Sequence, residues 1–239
     1  MSVYILVHGA WHGGELLEPV VRELESLGHE ASAPTLVGNR EDEPTSVGLE
    51  AAIQSLVDYL ENLDLREVIM CGHSYGGMLI TGAADACPER IKRLVYWNAF
   101  VPNDGESLYS MLPQEYVDLF EDLAKGDGRI MLPFNIWRDG FMNDAGLDQA
   151  RRAYSKLRAH PRKTFADPIA LEKNPSRFNI PKSYINCTDD IALPQSYGWH
   201  PRLSEKLGLF RLVQTPGSHE LCFTNPALLA QKMVEAGRE

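Results

Sequence analysis

The chain has 239 residues, 44% of them hydrophobic, and a formal net charge of −10, which suits one sizeable α/β domain. This acidic balance argues against a nucleic-acid partner, and no apolar run reaches the roughly 18–20 residues of a membrane span. The first residues, MSVYILVHG, lack a basic leader, and the four cysteines show no CxxC spacing. We therefore expect a cytoplasmic protein with reduced thiols.

Apolar runs and helical patterns alternate through the first hundred residues, without hairpin signals between them. This alternation predicts βαβ units and a mainly parallel sheet flanked by helices. The predicted strands cover 3–7, 29–34, 67–71 and 91–97, and the predicted helices cover 16–27, 49–63 and 76–86. A polar loop through Glu43 and Pro44 separates the second strand from the second helix.

The alternation stops after Pro102, where Asp, Gly, Pro, Met and aromatic residues become more frequent. It returns with strands at 182–187 and 210–214 and with a helix from about Asn225. We therefore predict an α/β core that an inserted, partly helical cap interrupts. The predicted core covers 1–101 and 179–239, and the predicted cap covers 102–178.

The pentapeptide Gly72-His73-Ser74-Tyr75-Gly76 lies between a predicted strand and a predicted helix. A G-x-S-x-G at such a junction can form a nucleophile elbow, in which small flanking residues relieve crowding and the serine hydroxyl projects above the sheet. The helix N-terminus behind it favours developing negative charge. The competing interpretation is a glycine-rich turn with an inert serine. Context on both sides favours Ser74 as a nucleophile, with His73 pointing away from it.

A serine nucleophile needs a general base, and the base needs an acid that holds its tautomer. His219 follows the strand at 210–214 and precedes the last helix, which would place it above the same edge of the sheet. Asp189 and Asp190 follow the strand at 182–187, so the chain order Ser, Asp, His is the one this architecture requires. We favour Asp190 as the acid, and Asp189 is the alternative.

A negatively charged oxygen formed at Ser74 would need backbone N–H donors. We expect one donor from Tyr75, which follows the serine, and the other from Ala10 in the loop HGAWHGG. The spacing of His8 and His12 in that loop could suggest a metal pair, but no HExxH helix supports it, so we predict no metal site. We also predict no cofactor, because no G-x-G-x-x-G follows a strand and no P-loop is present.

Five segments together resemble the α/β-hydrolase superfamily: LVHGAWHGG, GHSYGG, VYWNAFVPNDGES, CTDDIALP and PGSHELCFTNP. The chain looks most like the small esterases related to plant methyl-ester esterases and hydroxynitrile lyases, with their bacterial relatives. The resemblance covers about 1–103 and 180–237 and implies an α/β-hydrolase fold whose helical cap forms the substrate pocket. The site residues that it implies are the triad Ser74, Asp190 and His219 and the oxyanion donors Ala10 and Tyr75.

The chain departs from this resemblance at several positions. Hydroxynitrile lyases of the branch carry Thr, Glu and Lys where this chain has Gly9, His73 and Glu220. Without that lysine a departing cyanide lacks its charge partner, so the resemblance favours an esterase over a cyanohydrin lyase. Relatives often carry Asp where Asn98 stands, so no carboxylate there can replace the triad acid. Glu15 stands where an aromatic residue is common, so the wall near the oxyanion loop differs.

We therefore expect a cofactor-independent carboxylesterase that cleaves an ester of a small, largely apolar molecule through an acyl-enzyme. Candidates for the pocket wall are Trp11, Phe134, Trp137, Phe141 and Met142, and packing among themselves explains these side chains equally well. The alternatives are a lactonase or C–C hydrolase, a lyase, cyclase or dioxygenase on the same scaffold, and a small-ligand receptor. The sequence leaves the substrate and the oligomeric state open, a homodimer included.

Overall fold

The chain forms a central parallel sheet with helices on both faces. The computed structural model describes residues 1–40 and 43–238, so 41–42 of the predicted polar loop and position 239 of the predicted core lie outside the described residues. The strands within them are β1 (Val3–Val7), β2 (Glu30–Ser32), β3 (Val68–His73), β4 (Ile91–Trp97), β5 (Arg129–Ile130), β6 (His160–Pro161), β7 (Lys182–Cys187) and β8 (Arg211–Thr215). The α-helices are α1 (Glu18–Ser26), α2 (Leu49–Asn62), α3 (Gly76–Ala86), α4 (Gln114–Leu123), α5 (Phe134–Phe141), α6 (Leu147–Tyr154), α7 (Lys163–Ala166), α8 (Leu221–Thr224) and α9 (Pro226–Gly237). No helix among the described residues has the length and apolar character that crossing a membrane requires.

Six strands form one sheet in the order β2-β1-β3-β4-β7-β8, and every pair in it is parallel. The predicted parallel sheet is thus confirmed, and the strands at 3–7, 91–97 and 182–187 have the predicted bounds. β3 runs two residues further than predicted and ends at His73, directly before Ser74. Because the strands are parallel, their carboxyl ends meet at one edge of the sheet.

Alternate side chains of the inner strands β1 and β3 enter two separate apolar layers. Ile5 and Met70 belong to the layer shared with α2 and α3, whereas Leu6 and Cys71 belong to the layer shared with α1 and α9. Strands covered on both faces read as continuous apolar runs, which is why the sequence predicted them. The four cysteines are buried and form no disulfide, as expected.

The segment between β4 and β7 packs onto the layer that contains α2 and α3. It carries α4 to α7 and a small antiparallel sheet in which Ile130 of β5 pairs with His160 of β6. Its buried side chains, Phe120 and Trp137 among them, join the same apolar cluster as the sheet. The sequence predicted helices here but not the two strands, because two-residue strands show no periodicity.

The side chain of His8 links the end of β1 to the chain after β2 by hydrogen bonds. Its Nδ1 donates to the carbonyl oxygen of Gly9 at 2.9 Å, and its Nε2 accepts the N–H of Leu36 at 3.1 Å. These partners fit the neutral ring, and burial lowers the pKa of His8 from 6.5 to about 4. His73 and His160 are also fully buried, and burial lowers the pKa of each well below its ordinary value.

We expect the free energy of unfolding to fall when the pH is lowered from 6.5 towards 4. In this range the unfolded chain binds a proton at His8 and the folded chain does not, so acid favours unfolding by up to about 1.4 kcal/mol per pH unit for this group. Urea unfolding of the wild type and of His8→Gln at several pH values measures the effect. Glutamine keeps an acceptor for Leu36 but does not titrate, so the variant should show a shallower fall. Equal slopes would contradict the assignment.

Candidate active site

Ser74 occupies the sharp turn between β3 and α3. Its backbone φ is +53°, in the left-handed region that serine rarely adopts. A Cβ added at Gly72 would lie 2.8 Å from the carbonyl oxygen of Gly76, and one added at Gly76 would lie 2.6 Å from that of Val7. Glycine is needed at both positions because neighbouring backbone fills the space a side chain would take. The turn thus has the strand-to-helix form that GHSYG predicted.

His219 and Asp190 are hydrogen-bonded beyond the carboxyl ends of β8 and β7. The Nδ1 atom of His219 lies 2.6 Å from Oδ2 of Asp190, and the two side chains are 1% and 0% exposed. Asp189 is exposed instead and accepts the N–H of Gly217 at 2.8 Å. The structure therefore places Asp190, and not Asp189, against the histidine. Because a carboxylate only accepts, the neutral ring carries its proton on Nδ1 and keeps Nε2 free.

Asn98 holds the carboxylate of Asp190. Its Nδ2 donates to Oδ2 of Asp190, and its Oδ1 accepts the N–H of Cys187 at 2.7 Å. The N–H of Ala192 donates to the other carboxylate oxygen at 2.8 Å. This supporting role was not predicted, because Asn98 was considered only in place of a triad acid and its partners lie in or just after β7, far along the chain.

Aromatic rings surround His219. Trp199 stacks on it with ring centroids 5.0 Å apart and 20° between the planes, and Phe141 meets it edge-on at 5.2 Å. The ring of His73, expected to point away from Ser74, lies 4.6 Å from the His219 ring and donates Nε2–H to the His219 carbonyl oxygen at 3.0 Å. Since His73 stays neutral, it fixes the position of His219 without adding charge. Trp199 carried no sequence signal, because no motif surrounds it.

Ala10, Tyr75 and Ser74 line one cavity. Tyr75 directly precedes α3, and Ala10 lies in the loop that follows β1. In that loop Trp11 has a φ of +65°. A Cβ added at Gly9 would lie 3.2 Å from the Cβ of Ser74, so glycine at this position lets the loop approach the serine closely. The two predicted oxyanion donors are thereby brought to the same cavity as the predicted nucleophile.

The cavity beside Ser74 is narrow and almost wholly apolar. Its empty space amounts to about 350 Å³, including the part that is open to solvent. Two predicted wall residues, Trp11 and Phe141, line it. The further lining side chains include Phe100, Leu112, Tyr116, Phe120, Phe165 and Trp199.

Three other predicted wall residues pack elsewhere and do not belong to this lining. Trp137 and Met142 are fully buried in the apolar cluster that the segment between β4 and β7 shares with the sheet. Phe134 packs against Tyr154 with ring centroids 5.3 Å apart. For these three side chains the structure thus shows packing within the inserted segment, the competing explanation in the sequence analysis.

His8 and His12 do not face a common ligand position. The partners of His8 are Gly9 and Leu36, described above. The Nδ1 of His12 lies 2.6 Å from the carbonyl oxygen of Ala10, and its Nε2 lies 3.0 Å from Oε2 of Glu220. The two histidines thus have separate hydrogen-bond partners, which are Gly9 and Leu36 for His8 and Ala10 and Glu220 for His12.

Comparison with known proteins shows which chains this one is similar to. A family model described as the alpha/beta hydrolase family matches residues 4–232. The carbendazim hydrolyzing esterase of Nocardioides sp. (strain SG-4G) is 43% identical, across 99% of this chain and 100% of its own. Methylesterase 18 of Arabidopsis thaliana is 27% identical, across 98% and 96% of the two chains. The solved structure of an extracellular alpha/beta-hydrolase from a Paenibacillus species has a TM-score of 0.96 and 38% identity, and the match covers 100% of both chains.

Gly76→Ala tests the close packing at the turn. The added Cβ would meet the carbonyl oxygen of Val7, which cannot retreat without moving β1, so we expect the free energy of unfolding to fall by about 1–3 kcal/mol. Gly140→Ala in α5 is the matched control, because no atom lies within 4 Å of its added Cβ. Alanine should stabilise that helix by up to about 1 kcal/mol. Urea denaturation measures both variants, and equal stabilities would contradict the packing argument.

Proposed function

The chain belongs to the alpha/beta hydrolase family as an esterase-type enzyme, and from this premise we propose that it hydrolyses a carboxylic ester of a small, largely apolar molecule. The proposed triad is Ser74, His219 and Asp190. One observation carries the proposal: the buried 2.6 Å contact of His219 Nδ1 with Asp190 Oδ2, next to the cavity that Ser74 lines. A histidine held in this way offers Nε2 as a general base.

The proposed reaction has two halves. The Oγ of Ser74 attacks the ester carbonyl carbon while His219 takes the hydroxyl proton on Nε2, and Asp190 stabilises the resulting imidazolium. The amides of Ala10 and Tyr75 donate to the oxygen that becomes negative. The tetrahedral intermediate then expels the alcohol, which takes the proton from His219. Water repeats the sequence on the acyl-enzyme and releases the acid and free Ser74.

Trp199 supports the charge that His219 gains during this reaction. The two rings are stacked with centroids 5.0 Å apart, within the roughly 6 Å at which an aromatic face attracts a cation. On the other side His73 is kept neutral by burial, so it does not repel the imidazolium. The stacked Trp199 ring and the neutral His73 ring can thus accommodate the imidazolium that forms during proton transfer.

The shape of the cavity supports a small, flat, apolar substrate group. Its walls are aromatic and leucine side chains, which give contact area and few hydrogen bonds. A relative with 43% identity is named for the hydrolysis of carbendazim, and other relatives are named methylesterases. We propose carbendazim and aromatic methyl esters as the first substrates to assay.

The surroundings of Glu220 weigh against cyanohydrin lyase chemistry. This residue stands where the resembling lyases carry a lysine, and its carboxylate faces His12 rather than the cavity. An anion leaving the cavity would therefore meet no cationic side chain at that position. The buried contact of His219 with Asp190, beside the cavity that Ser74 lines, also favours hydrolysis over other cofactor-free chemistry, because acyl transfer uses all three groups.

Ser74→Ala removes the proposed nucleophile. We expect the kcat for p-nitrophenyl acetate and butyrate to fall by about 10³-fold or more, and labelling by a serine-directed phosphonate to disappear. Ser26→Ala, which changes an exposed serine in α1, is the matched control and should keep full activity and labelling. Unchanged turnover in Ser74→Ala, or phosphonate on another residue, would refute the assignment.

Asn98→Ala removes the donor that holds Asp190 and leaves the N–H of Cys187 without its acceptor. We expect kcat to fall about tenfold, a loss of about 1.4 kcal/mol in transition-state stabilisation, with little change in KM. The free energy of unfolding should fall by about 1–3 kcal/mol. Steady-state kinetics and urea denaturation measure the two effects. Asn143→Ala, which removes an exposed bond to the Asp189 carbonyl, should leave kcat unchanged. An undiminished kcat in Asn98→Ala would show that Asp190 needs no such support.

A further inference from the structure

A second buried acid lies directly beside His219. Glu220 is 1% exposed, and its Oε2 faces Nε2 of His12 at 3.0 Å. His12 is also 1% exposed and lies against Phe223, with ring centroids 5.7 Å apart and 27° between the planes. A carboxylate this deeply buried is costly unless it is paired, so the contact with His12 is what makes Glu220 tolerable there.

Both ring nitrogens of His12 face oxygen atoms that only accept hydrogen bonds. Nδ1 meets the carbonyl oxygen of Ala10 at 2.6 Å, and Nε2 meets the carboxylate of Glu220. The ring therefore donates from both nitrogens and is an imidazolium. Burial acts to lower the pKa of His12, but the charge and hydrogen bond of Glu220, with the Ala10 carbonyl, outweigh it and the pKa is raised.

The pair joins three segments around the cavity. The bond from His12 to Ala10 closes a turn around Trp11, whose φ of +65° is unfavourable for a non-glycine residue. At the other end Glu220 follows His219 directly, and its N–H donates to the carbonyl oxygen of Phe141 at 3.2 Å. These bonds link the loop after β1 to the loop that carries His219, and they link the latter to the end of α5.

His12, Glu220 and Cys222 also have the spacing of a metal site, since their ligand atoms lie within 4.8 Å of one another. The hydrogen bonds favour protons, and not a metal ion, between these side chains. Burial, reinforced by the Glu220 carboxylate, raises the pKa of the Cys222 thiol well above its ordinary value, so the sulfur stays protonated and points at that carboxylate at 3.7 Å. Both nitrogens of His12 are already occupied. The cluster is thus a complete hydrogen-bonded unit.

We propose that the His12–Glu220 pair is a positioning unit for ester hydrolysis. It holds the oxyanion loop, the segment after β1 that carries Ala10, in a fixed position relative to the loop that carries His219. This inference rests on the proposed function. It assigns Glu220 a role of its own, in addition to that of the adjacent His219. The Ala10 amide would stabilise charge that develops only in the transition state. Loosening the loop therefore lowers kcat and leaves substrate binding in the apolar cavity nearly unchanged.

Glu220→Met and Glu220→Gln test the role. Methionine fills a similar volume without a hydrogen-bonding group, so kcat should fall about 10–100-fold while KM changes less than about threefold. The inhibition constant of a trifluoromethyl ketone analogue, which binds as an oxyanion, should rise by a similar factor. Glutamine can still hydrogen-bond to Nε2 of His12, so Glu220→Gln should stay within about fivefold of the wild-type kcat.

The matched control is Ser183→Ala, which removes a buried hydrogen bond from β7 to the carbonyl oxygen of Ala236 at 2.7 Å. It should lower the stability to urea and leave kcat unchanged. Titration with the phosphonate counts functional sites in every preparation, so kcat refers to folded enzyme only. An unchanged kcat in Glu220→Met, or equal losses in the Gln and Met variants, would overturn the proposal.

The double variant His12→Phe/Glu220→Met separates a loss of activity from a loss of stability if Glu220→Met folds poorly. It removes both members of the pair together, so neither faces an apolar side chain, and stability should return in part, because the Ala10 carbonyl and the Cys222 thiol each lose one partner. A positioning role predicts that kcat stays about 10–100-fold below the wild-type value in this folded protein, whereas a purely structural role predicts that kcat recovers with stability.

Hydrolysis that survives Ser74→Ala would refute the proposed function itself. An inactive Ser74→Ala together with unchanged kcat in the Glu220 variants would refute the positioning role alone.

Discussion

The left-handed backbone of Ser74 is the constraint on which the rest of the site depends. A conformation of this kind costs about 1–3 kcal/mol and persists only where the surroundings enforce it. Here the N–H of Ser74 donates to the carbonyl oxygen of Trp97 at 3.2 Å, and its own carbonyl accepts the N–H of Phe100 at 3.1 Å. Both partners belong to β4 or the chain just after it, and β3 lies inside the sheet. The turn is therefore fixed by the sheet, and the start of α3 is fixed with it.

The order of the strands explains how residues so far apart in sequence meet. Ser74 follows β3, Asn98 follows β4, Asp190 follows β7 and His219 follows β8, and these four strands are consecutive neighbours. Since they are parallel, their carboxyl ends share one edge. Asn98 bonds to Asp190 across one strand boundary, and Asp190 bonds to His219 across the next. Because these groups are buried, each contact acts in a medium where electrostatic interactions are stronger than in water.

This dependence on strand order also shows what the sequence could predict. Apolar runs located the strands, so residues at strand ends, such as Ser74 and His219, were predicted together with their common edge. The pocket wall was harder, because an aromatic residue in a short helix can face either a cavity or a packed core. Phe141 lines the cavity, whereas Trp137, in the same helix, is fully buried. The contact of His12 with Glu220 joins two loops that only the fold brings together, and its one sequence signal was an unexpected acid beside the predicted base.

No charged side chain among the described residues lines the cavity, and in the proposed function this separates binding from catalysis. His8, His73 and His160 are buried and neutral, and the imidazolium of His12 is matched by Glu220. In the proposed reaction the apolar walls contact the ester and the transition state about equally, so they contribute to affinity without accelerating the reaction. Acceleration then comes from the groups that meet charge as it forms, which in this proposal are the loop amides and His219 with its supports. Substitutions in the cavity wall can therefore change which substrate binds without changing the proposed chemistry. This requires that the loops that carry Ala10 and His219 keep their relative positions.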